Sequence, residues 1–166
     1  MTDLVSKYRS KGVLLDTNLF VLLVVGLVDR EKISSHKRTN AYTSDDFDLL
    51  VRLLDRFRKI VVTPHILAET SNLVDTFTGK MKAVPFQMLK TVIERDTVLE
   101  INFLAIDACQ LSGFEQFGLS DAALVEVARE KYLILTDDFN LMGFALSQSV
   151  DVINFNHIRD MVWQQA

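Results

Sequence analysis

Three short stretches of this chain are apolar at every consecutive position: Val13-Leu14-Leu15, Ile60-Val61-Val62 and Tyr132-Leu133-Ile134-Leu135. A strand with one wet face alternates apolar and polar residues, so an unbroken apolar run requires cover on both faces. Further strands are expected at residues 98–101 and 150–155. Between these runs lie segments of helical period, such as Phe47, Leu50, Val51, Leu54 and Phe57 at the i, i+3, i+4 spacing of one buried face. Strands alternating with helices, and buried on both sides, predict an α/β domain. The expected architecture is a three-layer α/β/α sandwich with a mostly parallel central sheet, in which ligands bind beyond the carboxyl ends of the strands. Strand order is not encoded in periodicity.

Local chemistry sets the expected helix boundaries. Residues 19–28 read as a core helix ended by Asp29, Arg30, Glu31 and Lys32, and residues 29–43 as an exposed loop. The next helix starts near Thr43 or Ser44. Thr63-Pro64 supplies an N-cap and a proline at the first helical position, where the missing N–H costs nothing. That helix is expected to run through residues 72–77, with Gly79 as its stop. Helices follow at 85–95 and 104–116. Ser120 is expected to cap a helix at 121–131, and a short helix covers 139–147.

The 166 residues fit a single domain spanning 1–166, with no low-complexity linker or internal repeat. Such a chain buries roughly 70% of its unfolded surface, enough for a core without disulfides. The only cysteine, Cys109, fits a small core position on a helix and a reducing compartment. Lys7, Arg9 and Lys11 precede the apolar stretch at 13–28, an arrangement that resembles a signal or membrane segment. Asp16, Thr17 and Asn18 interrupt it, however, and 19–28 is too short to cross a hydrocarbon core of ~30 Å. A cytoplasmic protein is expected. The net charge of −4 excludes a globally basic nucleic-acid binder, although clustered acids would themselves lower the total.

Four acidic positions carry the candidate chemistry. Asp16 sits in the middle of an apolar stretch, where an unpaired charge costs several kcal/mol. It needs a partner or a metal, unless it serves as an Asx-type cap for the following helix. Glu69 lies on the edge of a helical stripe formed by Ile66, Thr70, Leu73 and Phe77. Asp121 falls in a first helical turn, where the helix dipole favours a carboxylate in any case. Asp137 and Asp138 end an apolar strand. Adjacent side chains diverge, so one is expected to face the pocket and the other to cap the helix starting near Phe139. A set of carboxylates without a histidine or cysteine motif suits a hard ion such as Mg2+ or Mn2+.

The segments Leu15-Asp16-Thr17-Asn18, His65-Ile66-Leu67-Ala68-Glu69-Thr70-Ser71-Asn72-Leu73, Leu119-Ser120-Asp121-Ala122-Ala123-Leu124 and Ile134-Leu135-Thr136-Asp137-Asp138 resemble, in order, the motifs of PIN-domain nucleases. The resemblance runs from about residue 13 to 156. It implies a metal-dependent endoribonuclease whose acids are Asp16, Glu69 and Asp121. The fourth is Asp138, by the family's Thr-x-Asp spacing, or Asp137, because the phenylalanine follows early. Asn18 and Thr136 fall on positions that support the acids, and residues 152–156 resemble the closing strand. The resemblance also implies an RNA substrate and a homodimer. It allows two roles: toxin of a toxin–antitoxin pair, with an antitoxin partner, or stand-alone ribonuclease. The stretch between Asp16 and Glu69 is longer than in compact toxins.

Phosphodiester hydrolysis needs an activated water and neutralised phosphoryl charge, which one or two divalent ions supply. Asp16, Asp121 and Asp138 (or Asp137) are the expected ligands, and Glu69 ligates or orients water. Arg30, Lys32, His36, Lys37 and Arg38, or Arg56, Arg58 and Lys59, are candidates for phosphate contact, and equally for solvated surface. His36, His65 and His157 lack metal-ligand spacing. Two other classes compete. A phosphatase on a similar sheet would need a second acid beside a nucleophilic aspartate, which Asp16-Thr17-Asn18 does not provide. A non-catalytic RNA- or protein-binding module would not need all the acids.

Overall fold

Val13, Leu14 and Leu15 have no exposed surface, as a strand covered on both faces requires. In the computed structural model, which describes residues 2–75 and 82–163, they form β1 (Val13–Leu15) at the centre of a five-stranded sheet. The other strands are β2 (Ile60–Val62), β3 (Val98–Glu100), β4 (Leu133–Thr136) and β5 (Val152–Asn154). All neighbours pair in parallel, in the order β3-β2-β1-β4-β5. β3 is an edge strand and keeps Glu100 in solvent, a charge that discourages further pairing.

From β1 the chain steps through β2 to β3 at one edge, then returns to the far side of β1 for β4 and β5. Right-handed crossovers in opposite directions put their helices on opposite faces. Accordingly α2 (Thr17–Val28) packs with α3 (Ser44–Leu54), α4 (Pro64–Val74) and α5 (Val84–Ile93), whereas α7 (Phe114–Ala128) packs with α8 (Phe139–Ser147). The result is the expected three-layer sandwich. The reversal falls between β1 and β4, and it opens a crevice at their carboxyl ends.

Caps behave as their residues dictate. Thr63 Oγ1 accepts from the Ile66 N–H at 3.3 Å, with Pro64 in the first turn of α4. Thr43 and Asp46 form a reciprocal capping box on α3. α2 approaches α3 so closely at Gly26 that an added Cβ would lie 2.2 Å from the Phe47 ring. The expected extension of α4 through 72–77 and its stop at Gly79 lie partly outside the described residues; the helix is described to Val74.

Several expectations are corrected. Residues 29–43 are not simply exposed: after a 3-10 turn (Arg30–Lys32), Ile33, His36, Thr39 and Tyr42 are buried, and Thr39 Oγ1 donates to the Ile33 carbonyl at 2.7 Å. These anchors recur at every third residue and fold the segment onto the domain, although His36 and Thr39 are polar residues that hide the pattern in the sequence. The helix expected across 104–116 divides into α6 (Ala105–Ala108) and the start of α7. Cys109 is exposed rather than core, and its neighbour Ala108 is the buried small residue. Ser120 does not cap a helix. α7 kinks at Gly118 (φ 79°, ψ −173°), in a region open only to glycine, and Ser120 and Asp121 lie in the first turn after it. α7 ends at Ala128 rather than 131. The last strand stops at Asn154, whose Oδ1 accepts from the Asn156 N–H at 2.9 Å, and Phe155 opens an unanticipated helix, α9 (Phe155–Trp163). α1 (Thr2–Tyr8) was likewise not anticipated. Among the described residues no helix is long and apolar enough to cross a membrane.

Candidate functional site

Asp16 follows β1 directly and is buried, 4% exposed. Its Oδ1 accepts from the Leu19 N–H at 2.9 Å, capping α2, so the capping role is real. It does not exhaust the carboxylate. Oδ2 turns across the crevice and accepts from the Thr136 hydroxyl and from the Asp137 N–H at 3.1 Å. Burial pushes the Asp16 carboxyl well above the usual range, and the nearby Asp137 charge adds to this; the three hydrogen bonds oppose it.

Thr136, at the end of β4, also accepts from the Asp138 N–H at 2.9 Å. Asp138 Oδ1 accepts from the Asn140 and Leu141 N–H groups at 2.6 and 3.2 Å, capping α8. The same Asp138 lines the crevice. The expectation that one aspartate faces the pocket while the other caps is therefore corrected: Asp138 does both. Asp137 is turned away, with Oδ1 accepting from Asn18 Nδ2 at 3.1 Å, Oδ2 from the Tyr42 hydroxyl, and its carbonyl from Asn156 Nδ2 at 2.7 Å.

Glu69 reaches the crevice from α4 and accepts from the Thr17 hydroxyl at 2.9 Å. Asp121 enters from α7, and its carboxyl is pushed up to about 6 by burial first, then by the charges of Glu69 and Asp138. Asp16, Thr17, Asn18, Glu69, Asp121 and Asp138, with Leu141 as the one apolar member, line a cavity of about 100 Å³. Four carboxylates from four elements thus meet at the reversal point between β1 and β4. A second cavity of about 260 Å³, between residues 101–103 and the end of α7, is lined by Ile101, Asn102, Phe103, Val127 and Tyr132 together with the charged Glu126 and Lys131. Glu126 is the one acid lining it, and that side chain is paired with Arg129, so no set of carboxylates meets there.

The donors of the smaller cavity are all oxygen except for the Asn18 amide nitrogen, which suits Mg2+ or Mn2+. Among the described residues no three acidic, histidine or cysteine side chains already stand as a metal cage. Mg2+ does not ask for one: it binds through one or two carboxylates and keeps several waters. Burial is the main cause of the raised Asp121 carboxyl, and the charges of Glu69 and Asp138 add a repulsion that a cation would relieve. The residues present therefore fit such an ion.

The basic candidates lie elsewhere. Arg30 pairs with Asp48 at 2.5 Å, and buried His36 accepts from the Arg38 N–H through Nδ1 at 3.2 Å. Arg56 and Arg58 are exposed, while Lys59 donates to the Asp96 carbonyl. His65 Nε2 meets the Phe103 carbonyl at 2.9 Å, and His157 packs on Phe139. Sequence reasoning missed Tyr42, Asn156 and Arg159 and gave Thr17 no role. A signal existed for α9, where Phe155 and Ile158 repeat at helical spacing after an asparagine; Tyr42 carried none.

No family model, curated protein or solved structure matches this chain.

Proposed function

We propose that this chain is a Mg2+- or Mn2+-dependent endoribonuclease that hydrolyses RNA phosphodiester bonds, as its resemblance to PIN-domain nucleases implies. The observation that carries the reading is the convergence of Asp16, Glu69, Asp121 and Asp138 on one small polar cavity at the strand-order reversal. These are the acids singled out by motif, and they arrive from four separate elements. Helix capping accounts for Asp16 and Asp138 individually, but no local role brings Glu69 and Asp121 to the same place.

In this reading Asp16, Asp121 and Asp138 hold the ion. Bound there, a divalent metal supplies an acidified water and neutralises phosphoryl charge. Thr136 fixes the orientation of Asp16 and the backbone of Asp138 at once. Thr17 holds Glu69, which ligates or orients a water. A cytoplasmic location and a homodimer belong to the same proposal. So does the choice between a toxin with an antitoxin partner and a stand-alone enzyme.

Cleavage of single-stranded RNA with Mg2+ or Mn2+ tests it, with a chelator and Asp16→Asn as controls. Metal-dependent cleavage that both controls abolish is expected. Undiminished cleavage by Asp16→Asn, or none by the wild type with either metal, overturns the reading.

A further inference from the structure

We propose that Tyr42, backed by Arg159, is a positioning residue for Asp16 that acts through Asp137. Its consequence for metal binding and cleavage rests on the ribonuclease reading above; its geometric content does not. The link between the two aspartates is a single backbone hydrogen bond, Asp137 N–H to Asp16 Oδ2 at 3.1 Å. That N–H points at Asp16 only while the 136–138 turn is held. Asp137 is gripped by three groups: Tyr42 takes one carboxylate oxygen, Asn18 from the cavity wall takes the other, and Asn156 takes the carbonyl. Burial, then the Asp137 charge, pushes the Tyr42 phenol well above its ordinary range, so it remains a donor throughout the physiological range.

Tyr42 is itself fixed from behind. The Arg159 guanidinium lies 5.0 Å from the centre of the Tyr42 ring. From there Nε and Nη2 donate to the two carboxylate oxygens of Asp46 at 2.8 and 3.0 Å, Nη2 to the Ala41 carbonyl at 3.0 Å, and Nη1 to Asn156 Oδ1 at 3.1 Å. Asp46 is almost wholly buried. Burial works against its charge, but the bonds from Arg159 and the Thr43 backbone outweigh it and hold the carboxyl below its usual range. The pair is therefore a fixed fork rather than a mobile surface contact. Arg159 grips two of the three arms that reach Asp137, Tyr42 by its ring and Asn156 by its amide oxygen. Helix α9 and the 29–43 segment, which contribute nothing to the cavity wall, thereby set the geometry of its most buried acid.

Tyr42→Phe in the full chain isolates the claim, since it removes the hydroxyl and leaves the ring beneath Arg159 and against Phe155. Hydrogen exchange in metal-free protein reads the geometry directly. The Asp137 amide is expected to exchange at least about 10-fold faster in Tyr42→Phe while the Ile134 and Leu135 amides of β4 keep their protection. Mn2+ affinity by calorimetry is expected to fall about 10- to 100-fold, the range for groups that orient a ligand. Tyr42→Phe combined with Asp137→Ala is expected to lose no more affinity than Asp137→Ala alone. Unchanged Asp137 exchange, exchange that rises equally in β4, or additive losses would each overturn the proposal. A wild type that binds no Mn2+ and cleaves no RNA defeats the ribonuclease reading, and the exchange result then decides the positioning claim alone.

Discussion

The Thr136 hydroxyl donates to Asp16 Oδ2 across the crevice between β4 and β1 and accepts in turn from the Asp138 N–H. One buried oxygen thus joins the acid at the end of the first strand to the acid that caps α8. β1 and β4 are direct neighbours, with Leu15 opposite Leu135, so both acids emerge from adjacent strand ends. Two strands distant in sequence need only this one short side chain between them to share a site.

Thr136→Val keeps the shape and removes the hydroxyl. It leaves a buried carboxylate oxygen and a backbone N–H short of a partner, a loss of about 1–3 kcal/mol. Chemical denaturation should show that loss, and Thr136→Ser should recover most of it. Equal loss in both variants would place the effect in packing rather than in the hydroxyl.

Asp121 makes the metal-free fold sensitive to pH. Its folded carboxyl titrates at about 6, against about 3.9 in an unfolded chain. The folded state therefore binds the extra proton between those values. The stability from this group is complete below about pH 4 and is lost as pH rises through 6, on the order of 3 kcal/mol. With chelator present, Tm should fall over that window, and Asp121→Asn should fall less and be the more stable protein at pH 7. Asp16, whose carboxyl is also raised, adds a slope of the same sign. Mn2+ should raise Tm more at pH 7 than at pH 5, because protons and metal compete for the same oxygens.

What was legible in the chain depends on how locally each feature is determined. The runs at 13–15, 60–62 and 133–135 announce doubly covered strands because burial on both faces leaves no polar alternation. Asp16 was legible for the same reason, as a charge inside such a stretch. Thr63-Pro64 announces its helix start through bonds made within three residues. Strand order was not legible, since apolar runs carry no label for their neighbours, and so the reversal point that gathers the acids appears only in the fold. Tyr42 sits in a polar stretch and is buried by contacts with Asp137, Phe155 and Arg159, all more than ninety positions away. Cys109 was misjudged because the burial preference of a residue type is an average; the short α6 turns its neighbour Ala108 inward instead.

Gly118 offers a test of how Asp121 is aimed. Its φ of 79° with ψ of −173° is strained for any residue with a side chain, although an added Cβ would meet no atom within 4 Å. The penalty of Gly118→Ala is thus one of backbone conformation, about 1–3 kcal/mol. Relief of that strain would straighten α7 and swing Asp121, three residues on, away from Glu69. Denaturation should report the lost stability and calorimetry a weaker affinity for Mn2+. Retention of both would mean that the kink does not aim the acid.

Asp137 and Asp138 separate by what an amide can replace. Asparagine caps helices as well as aspartate does, so Asp138→Asn should keep α8 and leave Tm nearly unchanged. It removes a charge from the cavity wall, however, so Mn2+ affinity and RNA cleavage should drop to the level of Asp16→Asn. At position 137 an asparagine can accept from Tyr42 through its oxygen and donate to Asn18 once that amide flips, which preserves the grip on the turn. It also removes the charge that disfavours ionisation of Asp16. Asp137→Asn should therefore retain cleavage within about 10-fold of wild type, the mild end of the range for an orienting group. Its metal-free protein should also be less sensitive to pH. Greater damage from Asp137→Asn than from Asp138→Asn, measured as cleavage rate at saturating Mn2+, would reverse their assignment.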